Sequence, residues 1–347
     1  MQVEVVRHST TSVDVAELAR GAAAIGLAGV AQPELETDPF VPLAVAALAD
    51  DRLRLSTAVA ITFARTPMAM ARAARDLSEL SGGRFVLGLG TSVRPVVESH
   101  YDSEYAPPGP RLRDYVKALR AIQLGWAGGD MRYEGRYHRV VPVPGFAAVP
   151  GQAVRAPVTP VHLAALNRYN LRTAGALCDG LVVHRFCTPD YLRDVMWGHV
   201  ADGAADAGRS LDGFETVLNV FVATGEDEGA VARQREWIRA QVASYGSVPA
   251  YHPVFRHHGL GDVGDRLVAA ARADLPLAER AAAVPDDVLD LFCVSATHAG
   301  LPAALVERCA GVADRVRLDL PVGPVLADVV AALADVPGTG RVGEPRP

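Results

Sequence analysis

Short runs of β-branched and aliphatic residues recur along most of this 347-residue chain, and between them lie stretches whose apolar residues return every three or four positions. That alternation constrains the fold more than any other feature, because strand, helix and strand in succession build parallel β/α units. The runs fall at residues 3–6, 29–32, 53–61, 84–90, 160–166, 180–184, 215–223 and 316–320. Eight parallel strands are the number that closes a (β/α)8 TIM barrel. Val15, Leu18, Ala19 and Ala22 mark one helical face, and Leu112, Tyr115, Val116, Leu119 and Ile122 mark another, which predicts an outer ring of helices. Pro67 suits a first helical turn, and Ser81-Gly82-Gly83 supplies residues that tolerate positive φ where that helix must stop.

Two stretches exceed a minimal barrel: residues 127–159, rich in Gly and Pro, and residues 225–314, with helical character at 231–245 and a loop at 248–264. They are read as insertions after strands four and seven, where loops at the C-terminal ends of barrel strands shape the substrate pocket. Residues 1–336 are expected to form a single barrel domain and the polar residues 337–347 a flexible tail. A formal charge of -6 gives no basic field for phosphates, which excludes nucleic acid and anionic membranes and favours a small-molecule substrate. No apolar run reaches the length of a membrane span and the chain opens directly on Val3-Glu4-Val5-Val6, so a cytoplasmic protein is expected. Cys178, Cys187, Cys293 and Cys309 are too scattered for a dithiol or zinc site and read as reduced thiols. His252, His257 and His258 lack an acidic cluster at ligand spacing, so no metal is expected.

From Arg65 to Ser92 the chain reads RTPMAMARAARDLSELSGGRFVLGLGTS, which closely resembles the third β/α unit and fourth strand of the luciferase-like oxidoreductases. The similarity continues through residues 111–122, 160–166 and 174–189. Residues 244–251 (SYGSVPAY) and 258–264 (HGLGDVG) resemble the coenzyme F420-dependent branch in particular. The resemblance implies a (β/α)8 barrel with a bound deazaflavin and a non-proline cis peptide at the end of strand three, which by position joins Ala58 and Val59.

Beside that peptide, Gly88-Leu89-Gly90-Thr91-Ser92 lacks the third glycine of a dinucleotide fingerprint. Gly90 would either let a planar ring approach the backbone or serve tight packing, while Thr91 and Ser92 offer polar groups to the ring. Ala164, Ala165, Leu166, Asn167 and Arg168 precede a helix expected to begin near Asn170, where backbone N–H groups and the Arg168 charge would receive a cofactor phosphate. Relatives usually carry a Gly-Pro type turn there. Glu34 and His184, at the ends of strands two and six, are the candidate catalytic groups, with His8 a weaker one. An imidazole of ordinary pKa would supply a proton after hydride arrives. Thr37 stands where a histidine is expected from relatives, and Asp38 reads as a helix cap. Leu260 stands where relatives often have tryptophan.

The resemblance implies an F420-dependent oxidoreductase that transfers hydride between the deazaflavin and a small organic substrate, in the direction of reducing an activated C=C or C=N bond. One alternative keeps the fold but binds FMN and activates oxygen. Another, motivated by Thr37, Leu260 and the Asn167-Arg168 turn, is a non-catalytic barrel that has lost cofactor binding. By resemblance the chain is expected to form a homodimer through the Ala-rich segments 42–49 and 67–80.

Overall fold

The computed structural model describes residues 1–6, 12–143 and 158–338. The strands β1 (Gln2–Val6), β2 (Gly29–Gln32), β3 (Arg54–Thr57), β4 (Phe85–Gly90), β5 (Val161–Ala164), β6 (Gly180–Val183), β7 (Glu215–Asn219) and β8 (Arg315–Leu318) lie parallel in the order 3-2-1-8-7-6-5-4. Pairing of Leu55 with Phe85 and of Ser56 with Val86 joins the two ends, which closes the barrel. Alternate residues such as Val3, Val5, Leu55, Leu87, Leu163 and Leu181 are buried under the surrounding helices. The helical faces read from the sequence pack on this outer surface, with Val15, Ala19, Ala22, Leu112, Tyr115, Val116, Leu119 and Ile122 all buried. Helix Pro67–Leu80 starts where Thr66 accepts a hydrogen bond from the Ala69 amide at 3.2 Å and ends on Gly82 and Gly83, both at positive φ.

Two of the expected strands are divided. Residues 53–61 form β3 and a separate two-residue strand, Ala60–Ile61, which also pairs with β4. Residues 215–223 do not continue as one strand either. β7 ends at Asn219, and Phe221–Gly225 leaves the barrel to pair in parallel with Cys293–Thr297, a strand inside the second insertion that the sequence reading missed. Helix Glu228–Gly246 covers that small sheet, burying Val231, Ile238 and Val242. In the first insertion, Tyr133–Glu134 and Arg139–Val140 form a short antiparallel hairpin. Asp114 clasps it by accepting from the Tyr133 hydroxyl at 2.6 Å and from the amides of Arg136, Tyr137 and His138.

Inside the barrel the lower layers are ionic, where branched apolar residues are usual. Arg317 donates to Glu4 at 2.8 Å and to Ser56 at 3.0 Å, Arg315 bridges Glu4 and Glu215, and Arg54 pairs with Glu215 beside His162. Small residues opposite make room for these long side chains: a Cβ on Gly180 would lie 2.6 Å from the His162 ring. Burial opposes the charge of Glu4, but the surrounding arginines outweigh it and hold the carboxyl below its usual range. Glu215 is held down to about 2 in the same way. Burial, reinforced by Arg54, pushes His162 down to about 3, so it sits among the charges as a neutral ring.

Candidate active site at the barrel mouth

The C-terminal end of the barrel is floored by small side chains, and β3 explains why. After Thr57 the chain turns through a cis peptide between Ala58 and Val59, the position expected from the resemblance. The Ala58 amide donates to Gln32 O at 2.8 Å, and Val59 O accepts from the Glu34 amide at 3.3 Å, tying this bulge to the end of β2. Ala58 and Val59 are half-buried while Thr57 and Ala60 on either side are buried, so the bulge is the part that meets the mouth. On β4, a Cβ at Gly88 would come 2.1 Å from Thr57 O, and one at Gly90 would come 2.5 Å from Val59 Cγ2. The bareness of Gly90 is therefore used by the bulge. The expectation that it leaves room for a ring is corrected: Val59 fills that space, and a ring would meet Val59 instead.

Glu34, expected to be a catalytic carboxylate, is only 5% exposed and fully engaged. Its oxygens accept from Arg65 Nη1 at 2.7 and 2.8 Å, from the Ile61 amide at 2.7 Å and from the Tyr101 hydroxyl at 3.1 Å. Arg65 Nη2 also pairs with Asp38, whose other oxygen accepts from the Phe40 amide at 2.8 Å; Asp38 is not the helix cap expected from sequence, because helix Phe40–Ala49 has Pro39 at its N-cap. Burial, then the Glu34 charge, pushes Tyr101 up to about 12, which keeps its proton on the hydroxyl. A carboxylate saturated by a guanidinium, an amide and a phenol has no lone pair placed for proton transfer. It is a brace between the end of β2 and the strand that follows the bulge. Arg65 and Tyr101 were not singled out from sequence, although Arg65 opens the segment that carries the family resemblance.

His184, directly after β6, has a different state from the one expected. Its Nδ1 accepts the Phe186 amide at 3.0 Å, which places the ring proton on Nε2. Nε2 faces the Tyr251 hydroxyl at 3.5 Å, and the Tyr245 ring stands edge-on with centroids 4.7 Å apart. Burial, with a smaller push from Arg185, lowers its pKa to about 3. The expectation of an imidazole titrating near working pH is thus corrected: at neutral pH this group is an uncharged N–H donor. Tyr245 and Tyr251 come from the second insertion, from the segment resembling the F420 branch, and were not named as site residues. Thr188 ties the same insertion down through a 2.8 Å contact between its hydroxyl and His258 Nε2.

The loop after β5 carries the remaining candidates. Ala164 lies beside Gly90 across the floor, Ala165 and Leu166 are buried, and Asn167 and Arg168 are exposed. The helix begins at Arg168, two residues earlier than expected, because the Asn167 side chain caps it by accepting from the Asn170 amide at 2.9 Å. Its first two amides, at Arg168 and Tyr169, keep the donor character of a helix start. Thr91 turns its hydroxyl onto Ser92 O at 3.2 Å, and Ser92 adopts φ 55°. The Tyr105 hydroxyl reaches Ser92 O at 3.4 Å and packs that corner of the mouth. His8 lies outside the described residues.

A profile of the luciferase-like monooxygenase family matches residues 4–316. The chain belongs to that family. It is 37% identical to the uncharacterized protein Rv1360 of Mycobacterium tuberculosis over 82% of this chain and 83% of that one. It is 30% identical, over 73% and 75% of the two chains, to Rv3520c of the same organism, whose name marks it provisionally as a coenzyme F420-dependent oxidoreductase. Among solved structures, the coenzyme F420-dependent tetrahydromethanopterin reductase of Methanopyrus kandleri superposes with a TM-score of 0.73 at 19% identity, covering 97% of each chain, and shares the fold.

In this luciferase-like barrel, Val59 and Ala164 border Gly90 on the floor of the mouth, and the helix that starts at Arg168 follows the loop after β5. All four cysteines are buried free thiols, with Cys178, Cys187 and Cys309 each pushed up to about 12 by burial. They are chemically quiet. Among the described residues no cluster of His, Cys, Asp or Glu could hold a metal ion, and no helix is long and apolar enough to cross a membrane.

Proposed function

We propose that this oxidoreductase binds coenzyme F420 at the barrel mouth and uses it to reduce an activated C=C or C=N bond of a small organic substrate. The observation that carries the reading is a floor of small side chains flanked by a neutral N–H donor, His184 Nε2, on the neighbouring strand end. Similarity to Rv3520c supports the choice of deazaflavin. When bound, the reduced cofactor would supply hydride. Ala58 and Val59 would support one face of its ring, the amides of Arg168 and Tyr169 with the Arg168 side chain would take its phosphate, and Ser92 and Thr91 would border its polar edge. His184 would hydrogen-bond the acceptor atom of the substrate and stabilise charge that develops there as hydride arrives, the role of a preorganised donor. The rings of Tyr245, Tyr251 and Phe186 around it would exclude water. Two copies of the chain would pair through helix Phe40–Ala49.

The test is separate titration of the protein with F420 and with FMN, following quenching of each fluorophore. Tight binding of F420 with weak binding of FMN is expected. Preference for FMN, with oxygen consumption, would replace hydride reduction by oxygenation as the reading, and binding of neither would leave a barrel without its redox group.

A further inference from the structure

The opposite end of the barrel carries a cleft of 640 Å³ that the proposed chemistry does not use. It is lined at the starts of β3, β4, β5 and β7 by Arg54, Arg84, His162 and Glu215, with Val158 at its rim. The charges around it do not cancel. Glu215 is shared by Arg54 and Arg315, and Glu4, one layer further in, by Arg315 and Arg317. Asp179, the other acid on the wall, is shared by Arg120 and Arg209. Arg84 is held by the backbone carbonyls of Leu53 and Ala47, and no carboxylate among the described residues pairs with it. Arg317, 2% exposed, keeps Nη1 without any partner.

A chain of net charge -6 has thus gathered surplus guanidinium groups around one concave space. Buried positive charge without a counter-charge is costly, and a donor left unpaired in the interior adds to that cost. An anion entering this cleft beside Arg84 and Arg54 would offset the first of these costs. We propose that the base of the barrel is a second binding site, for a small organic anion recognised through a phosphate or carboxylate group, with Arg84 and Arg54 as its main cationic contacts. The volume exceeds that of a bare oxyanion, which leaves room for a small body attached to the charged group. The site is independent of the mouth and of whichever cofactor binds there.

Val158 allows a test that spares the core, because it lines the cleft yet is 50% exposed. Thermal stability of the whole protein is followed against inorganic phosphate and against citrate up to 10 mM, at ionic strength held constant with chloride. Both anions raise Tm of most proteins by exclusion from the surface, and that part is common to all variants. Saturable stabilisation at low concentration is expected for the unchanged protein. The half-saturating concentration should rise about five- to ten-fold in V158E and fall in V158K, the size of one added charge at partly solvated range. Response to phosphate alone identifies a phosphoryl ligand, and response to citrate alone a carboxylate. Identical curves for all three proteins, or no saturable gain over chloride, would overturn the proposal.

Discussion

Glu34 and Arg65 show how little a residue's type says about its task until its partners are known. A carboxylate at the end of a barrel strand has the same sequence signature whether it moves protons or braces the backbone. What decides is Arg65, 31 positions away, together with the Ile61 amide and the Tyr101 hydroxyl. The two ends of this pair are not equivalent. Replacing Arg65 by Met leaves Glu34 buried with its charge uncompensated, which should cost about 3 kcal/mol of unfolding free energy. Glu34→Gln keeps an acceptor for the Ile61 amide and leaves Arg65 its partner Asp38, so a loss of about 1 kcal/mol is expected. Urea unfolding of both variants checks the order, and a larger loss for E34Q would mean that Asp38 does not hold Arg65. His184 was legible as a mouth residue from its place after a strand, but its protonation state was not. That state depends on the Phe186 amide and on rings brought over from the second insertion.

At the scale of elements, the strands were readable because each buries an apolar face under the helices, and the period-two pattern survives even where the other face is charged. Their divisions were not readable. Ala58 and Val59 look like any other strand residues, and 221–225 is apolar enough to continue β7 although it pairs with Cys293–Thr297. The ionic interior left a signal that went unused. Glu4, Arg54, His162, Glu215, Arg315 and Arg317 all fall in strands of a parallel sheet, where both faces are normally buried, so charges there must find one another. Helix Phe40–Ala49 carries another such signal, for it has no charged residue anywhere. Pro42, Leu43, Ala46 and Ala47 are buried against the barrel, while Val41 is 58% and Leu48 75% exposed. A helix apolar all round is ordinarily covered on every side. Helix Pro67–Leu80 packs beside it and also exposes a leucine, Leu80. Sedimentation should therefore find a dimer, and Leu48→Glu should shift it to monomer with no loss of helical signal. A monomer in the unchanged protein at micromolar concentration would remove this helix as an interface.

Across the whole molecule, histidines held neutral by their surroundings set how stability responds to acid. His162 at the barrel base and His184 at the mouth are both lowered to about 3 from an ordinary value of 6.5, in each case chiefly by burial. Between those pH values the unfolded chain takes up a proton at each ring while the folded protein does not. The unfolded state then binds more protons, so unfolding free energy must fall as pH drops through this window. With both sites contributing fully, near pH 5, the slope approaches about 2.7 kcal/mol per pH unit. Below 4.5 the carboxyls of Glu4 and Glu215, both held low by arginines, add a loss of the same sign. Stability should be level above pH 7 and decline steadily from pH 6.5 to pH 4, measured as the urea midpoint at fixed ionic strength. His162→Gln removes one titrating ring from the interior. Whatever the substitution does to absolute stability, it should reduce the slope near pH 5 by about 1.4 kcal/mol per pH unit, the share of one proton, because the slope counts protons and not contacts. A wild-type curve that stays level down to pH 5 would mean that both rings take up protons in the folded protein as freely as in water, and that the barrel interior is far wetter than its packing implies.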